Sequence, residues 1–161
     1  MNEISQKIHS SFEAFFEELK IWKTNNYKLV FTNGCFDLLH RGHIDSLMKA
    51  ARLGDKLIVG LNSDQSVNQL KGSNRPLMDE QSRATLIAAM QMVDAVVLFN
   101  EETPYELIKS IQPDVLVKGN EYAIEDIAGY DLVLARGGSV ETIEMIEGIS
   151  TSALIEKIKN L

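Results

Sequence analysis

Two histidines three residues apart, His40 and His43, stand close to Asp37 in the stretch Phe31-Thr-Asn-Gly-Cys-Phe-Asp-Leu-Leu-His-Arg-Gly-His43. The chain holds three histidines, so most of its imidazole meets at one turn. Imidazole N–H groups stabilise the charge that builds on phosphoryl oxygens, and chemistry of that kind needs positioning rather than a protein nucleophile. Two other readings compete. A zinc site would recruit Cys35 and Asp37, but the spacing matches none of the usual zinc patterns. Ordinary polarity at a helix start is the third. Asp37 is either a helix cap or a group that orients a bound metal or an acceptor, and the residues alone leave both open.

Further cations fall where a parallel sheet would gather them. Lys71 and Arg75 sit in Leu70-Lys-Gly-Ser-Asn-Arg-Pro76, which has the composition of a mobile loop, and such a cation could close over leaving phosphates. Lys118-Gly119 follows a short apolar run, where a lysine points to the ligand edge. Ser150, Thr151 and Ser152 stand at a helix start; they suit capping, and the same free amides suit phosphate. Arg83 lies in a predicted helix and reads equally well as a surface residue in local ion pairs. Cys35 needs no catalytic role.

The elements that must position these groups follow from spacing. Tyr27 to Thr32 is a strand, Gly34 breaks it, and a helix spans residues 42 to 53, so free amides and the positive end of a helix dipole face outward from a strand end. Upstream, Phe12, Phe15, Phe16, Leu19 and Trp22 recur at three- and four-residue intervals and predict a helix over residues 10 to 23. Its apolar face packs on the domain or on a second copy of the chain. Lys56 to Leu61 is a strand buried on both faces. A short helix after Asn62, a helix from Asp79 to Met92 and a strand from Ala95 to Phe99 come next. Thr103-Pro104 starts a helix with proline at its first position, running to Ile111. A strand at Val115 to Val117, a helix near Ile124 to Ala128, a strand at Val140 to Met145 and a helix at Ala153 to Lys159 complete the chain. This alternation predicts one α/β domain over residues 1–161, with residues 1–26 as a helical extension. Its core is a Rossmann-like, doubly wound, five-stranded, mainly parallel sheet with helices on both faces. Ligands collect beyond the carboxyl ends of such strands, where the order reverses.

Composition narrows the partners. The 161 residues carry a formal charge of -7, with 45% hydrophobic and 24% charged residues. An acidic chain argues against a surface that tracks nucleic acid or an anionic membrane. One cysteine excludes an internal disulfide and a four-cysteine zinc site. No apolar run approaches the roughly 18 residues of a membrane span, and the start lacks an export profile. A protein of the cytoplasm, with neither membrane nor nucleic acid as partner, is expected.

The residues also carry a resemblance. Thr32-Asn-Gly-Cys-Phe-Asp-Leu-Leu-His-Arg-Gly-His43 holds the His-x-Gly-His signature of the nucleotidyltransferase superfamily, and Glu147-Gly-Ile-Ser-Thr-Ser152 resembles its second signature. Gly60-Leu-Asn-Ser-Asp64, Leu70-Lys-Gly72, Glu102-Thr-Pro104 and Pro113-Asp-Val-Leu-Val-Lys-Gly119 are most similar to the adenylyltransferases of heptose 1-phosphate, in the stand-alone form without a sugar-kinase domain. The resemblance implies that a sugar 1-phosphate attacks the α-phosphorus of ATP in line. Pyrophosphate leaves and ADP-heptose forms for lipopolysaccharide or another surface glycan, with Mg2+ bound mainly through the nucleotide phosphates. By likeness His40, His43 and Lys71 are catalytic. Asn33, Gly34, Phe36, Gly42 and Arg83 hold the nucleotide, and Lys118, Gly119, Asn120, Glu121, Gly148, Ser150, Thr151 and Ser152 line its pocket. Asp37, Asn62, Asp64, Arg75 and Tyr122 face the sugar phosphate, and no protein group is assigned to metal. A homodimer is one use for the aromatic face of the first helix.

Two departures matter. The heptose branch reads Lys-Gly-Gly-Asp-Tyr where this chain has Lys118-Gly-Asn-Glu-Tyr122, so the pocket has an added side chain and a longer carboxylate. Cytidylyltransferases of glycerol phosphate carry an arginine three residues before the Gly148 position, and Met145 stands there. The rival readings are a cytidylyltransferase of another sugar or polyol phosphate, such as glycerol 3-phosphate, and a non-catalytic nucleotide-binding regulator.

Overall fold

The structure is a computed structural model and describes residues 3–161. It opens with a short helix α1 (Glu3–Gln6), a two-residue strand β1 (Ile8–His9) and helix α2 (Phe12–Thr24). The Ser11 hydroxyl accepts from the Ala14 amide and so caps α2. Phe15, Leu19 and Trp22 of α2 are buried with Leu29, Ile58 and Val97, so this aromatic face covers the chain's own sheet. Helix α2 thus contributes Phe15, Leu19 and Trp22 to the core.

The chain continues through β2 (Leu29–Gly34), α3 (Arg41–Ala51), β3 (Lys56–Asn62), α4 (Asp64–Lys71), α5 (Glu80–Ala88), β4 (Ala95–Phe99), α6 (Tyr105–Ile111) and β5 (Val115–Gly119). A 3-10 turn at Ile124–Asp126, helix α7 (Tyr130–Ala135), strand β6 (Ser139–Ile143) and helix α8 (Thr151–Lys159) follow. The sheet order is β1-β4-β3-β2-β5-β6, and these pairings are all parallel. Alternate residues serve opposite faces: Phe31 and Ile58 join the cluster around α2, while Val30 and Val59 join Leu47 and Ile87 on the other side. Both faces are covered, which is why β3 reads as an unbroken apolar run. Gly60 within it makes room for Phe31, whose ring would lie 2.6 Å from an added Cβ.

Several expectations are corrected in detail. The sheet has six strands, because Ile8 and His9 pair with Val96 and Val97 at its edge; two residues are too few to show a period. Lys71 closes helix α4, and the turn begins only at Gly72 (φ 95°). Pro104 is the residue before the first turn of α6, one place earlier than expected. The helix foreseen near residues 124–128 is only a 3-10 turn, and α7 starts beyond Gly129, whose φ is 84°.

From β2 the chain moves outward through β3 and β4, then returns to place β5 and β6 on the other side. The order therefore reverses between β2 and β5, where a parallel sheet opens a crevice at its carboxyl edge.

Candidate active site

A cleft of about 640 Å³ occupies that crevice. The turn after β2 forms its floor, the end of α4 and the following loop form one wall, and Lys118, Glu121 and Tyr122 with the start of α8 form the other.

The histidine turn has a defined geometry. The rings of His40 and His43 stack with centroids 3.7 Å apart and planes 19° from parallel. His40 is the residue before the first turn of α3, and its Nδ1 accepts from the Gly42 amide at 3.2 Å. The His43 Nδ1 accepts from the His40 amide at 3.3 Å. A ring nitrogen that accepts an N–H carries no proton, so each neutral ring holds its proton on Nε2. Two parallel Nε2–H donors are left for the cleft that both residues line. Gly42 suits this arrangement, since a Cβ there would press on the His40 ring at 3.0 Å.

Burial, then repulsion from His40, pulls the His43 imidazole down to about 4, against a smaller opposing pull from Asp37. Burial also lowers His40. Both rings are neutral donors at pH 7, which suits them to phosphate oxygens without stacking two cations.

Cationic charge comes from the walls instead. The Lys118 amine donates to the Asn33 backbone oxygen and to Asn33 Oδ1, both at 3.2 Å, and lies 5.4 Å from the centre of the Tyr122 ring. Burial lowers its pKa, Cys35 and Glu121 act the other way, and Lys71 pushes it down again. Lys71 is exposed at the end of α4 on the facing wall. The Glu121 carboxylate folds back against Gly119, where an added Cβ would collide with it.

Asp37 ties these walls together. Its carboxylate is 1% exposed and accepts from Arg75 Nε (2.8 Å), the Leu77 amide (2.8 Å) and the Met78 amide (3.0 Å). Burial alone would raise the carboxyl, but those two amides and the Arg75 guanidinium outweigh it and hold the group below the usual carboxylate range. The Asp37 backbone oxygen accepts from the Thr151 hydroxyl at 2.7 Å, which fixes the start of α8 to the same turn. The Ser150 hydroxyl caps that helix by accepting from the Ala153 amide at 3.1 Å.

Of the expected site residues, Asn33, Gly34, Phe36, Asp37, His40, His43, Asn62, Lys71, Arg75, Lys118, Glu121, Tyr122, Ser150, Thr151 and Ser152 line the cleft. Gly119 lines a smaller hollow that continues from it past Ser46 and Met145. Arg83 and Asp64 are placed elsewhere. Arg83 is fully buried and donates to Met78 O, Cys35 O, Asn62 O and Asp64 Oδ1 at 2.7 to 3.0 Å, so its guanidinium joins three backbone segments and does not reach the cleft. Asp64 is its carboxylate partner. Asn62 lines the cleft, and its side-chain nitrogen donates to Ser66 Oγ at 2.9 Å. Asp37, as described, holds protein groups. Asn120 and Gly148 lie outside the cleft wall; the Asn120 amide extends the sheet by donating to Ile143 O at 2.9 Å.

The structure adds residues that were not foreseen: Glu102, Thr103 and Pro104 after β4, and Asp126 in the 3-10 turn. They follow carboxyl ends of strands, so the rule that placed Lys118 would have placed them also. Among the described residues no three His, Cys, Asp or Glu side chains come together to hold a metal.

A family model described as cytidylyltransferase-like matches residues 31–157, from the strand before the histidine turn to the last helix. The chain belongs to the cytidylyltransferase-like family. Relatives named bifunctional protein HldE are similar to this nucleotidyltransferase over most of its length. That of Syntrophotalea carbinolica is 51% identical over 146 residues, covering 91% of this chain and 30% of the relative. That of Citrifermentans bemidjiense is 56% identical over 131 residues, 81% of this chain and 27% of the relative. That of Wolinella succinogenes is 48% identical over 168 residues, 98% of this chain and 35% of the relative. The cytidylyltransferase-like chain thus spans 27 to 35% of the length of these relatives. The crystal structure of the lipopolysaccharide core biosynthesis protein from Thermoplasma volcanium GSS1 is similar with a TM-score of 0.60 and 27% identity, covering 74% of this chain and 97% of that one. Among the described residues no helix is long and apolar enough to cross a membrane.

Proposed function

We propose that the protein transfers the adenylyl group of ATP to a heptose 1-phosphate. A phosphate oxygen of the sugar phosphate forms a bond to the α-phosphorus, the bond to the β-phosphate breaks, and pyrophosphate leaves with the electron pair. The observation that carries the reading is the pair of stacked, neutral imidazoles with both Nδ1 atoms occupied and both Nε2–H groups free for the cleft. Donors held in place before reaction stabilise phosphoryl charge without reorganising. Lys71 and Lys118, from facing walls, neutralise the leaving phosphates. The capped start of α8 offers its first amides and the positive end of a helix to the same anion.

Magnesium fits this cleft as an ion carried in by the triphosphate. The Asp37 carboxylate is saturated by protein donors, whereas Glu102, Glu121 and Asp126 are carboxylates on the wall that could receive an ion held chiefly by phosphates and water. Bound there, the ion would supply charge neutralisation on the phosphates.

The heptose branch is supported by the likeness to the HldE proteins and to a lipopolysaccharide core biosynthesis protein. Met145 supports ATP over CTP. It stands where the glycerol-phosphate branch has an arginine, and its sulfur lies 3.3 Å from Ser46 Oγ beside the smaller hollow. Incubation with Mg2+, heptose 1-phosphate and each nucleoside triphosphate, with pyrophosphate measured, tests this. Release is expected with ATP; turnover with CTP alone, or with glycerol 3-phosphate in place of the heptose, would overturn it.

A further inference from the structure

The amino-terminal edge of the sheet, at the end opposite the catalytic cleft, carries a second concavity of about 660 Å³. It lies where the chain enters three adjacent strands: Lys28 precedes β2, Asp114 precedes β5 and Gly138 precedes β6. Lys23, Lys28 and Arg136 line it, and among the described residues none of the three forms an ion pair. The one carboxylate in the lining, Asp114, accepts from the Leu29 amide at 2.7 Å. Lys23 reaches only the Gln112 amide oxygen, at 3.5 Å. Burial and then the nearby Arg136 charge lower its pKa, against a smaller opposing pull from Asp114.

The basin is not uniformly polar. Tyr27, half-exposed and with the Lys56 amine 5.3 Å from the centre of its ring, forms part of its wall. An apolar hollow of about 240 Å³ between α6 and α7 adjoins it and shares Gln112, Pro113 and Arg136. A basic basin joined to an apolar slot matches a ligand with a phosphate group at one end and a flat, weakly polar ring at the other.

We propose that this edge is a second nucleotide-binding site, separate from the catalytic cleft, with phosphates on Lys23, Lys28 and Arg136 and the base against the Tyr27 ring or in the α6–α7 hollow. The proposal does not depend on which substrate the cleft takes. Nucleotides are what this family handles, so such a site would see them at working concentration.

Backbone amide shifts of the full chain during titration with ADP test it, because the two sites report on different residues. Saturating shifts are expected at Gly137, Gly138 and Ser139, in addition to those at Asn33 and Gly34. The double substitution Lys23→Ala with Arg136→Ala should weaken the first set about tenfold or more and leave the second, and pyrophosphate release, unchanged. Inorganic pyrophosphate should shift Gly137 to Ser139 at least tenfold more weakly than ADP, because it lacks the ring. Shifts confined to the cleft, a response at Gly137 to Ser139 that survives the double substitution, or equal affinity for pyrophosphate would each overturn the assignment.

Discussion

Replacing Asp37 by asparagine should destabilise the protein far more than an isosteric change at a turn ordinarily does. The carboxylate is 1% exposed and accepts three hydrogen bonds, from the Arg75 guanidinium and the Leu77 and Met78 amides. A carboxamide has one oxygen and one NH2, so at least one of those donors would face another donor and lose its partner. An unsatisfied buried donor costs about 1–3 kcal/mol, and removing the charge opposite Arg75 adds to it, giving about 3 kcal/mol. At about 2–4 °C per kcal/mol for a domain of this size, Tm should fall by roughly 6–12 °C. Urea unfolding of wild type and Asp37→Asn at pH 7 measures the difference. The pH dependence supplies a sign. The folded-state carboxyl is depressed, so its contribution is complete above the unfolded carboxylate range, near 4, and is lost as pH falls through the lower folded value. The two proteins should converge in acid. A difference below about 0.5 kcal/mol at pH 7, or one that persists in acid, would refute the reasoning.

Three other outcomes follow from the same geometry. His43→Ala should lower kcat by about 10²–10³, and the wild-type His43 ring should titrate by NMR at about 4, remaining neutral from pH 5 to 8. Because that folded pKa lies below the unfolded value, the neutral ring's contribution to stability is full above about 6.5 and lost as pH falls toward 4. Lys71→Ala should cut turnover sharply while changing stability by less than about 0.5 kcal/mol, since the side chain is exposed; equal loss of both would place the residue wrongly. Trp22→Ala should cost about 3–5 kcal/mol by chemical unfolding, because Trp22 is 6% exposed and packs edge-to-face on Phe15 at 5.3 Å.

What could be read from the sequence divides by range. The strand, glycine turn and helix around His40 and His43 are local, and alternation of apolar runs with helical spacing gave the parallel sheet and its crevice. The functions of Asp37 and Arg83 were not legible, because their partners lie far along the chain: Asp37 meets residues 38 to 41 positions away, and Arg83 meets Cys35 48 positions away. A charged residue in a phosphate-handling fold reads as a ligand, and only burial shows that it is a strut. The edge strand at Ile8–His9 escaped for another reason, since its register comes entirely from β4.

The most direct measurement of the central claim is a crystal structure with Mg2+ and an ATP analogue blocked between the α- and β-phosphates. The Nε2 atoms of His40 and His43 should stand within about 3 Å of phosphate oxygens, with the Lys71 and Lys118 amines on the same triphosphate. A triphosphate bound away from both rings, or rings turned so that Nδ1 faces it, would contradict the account.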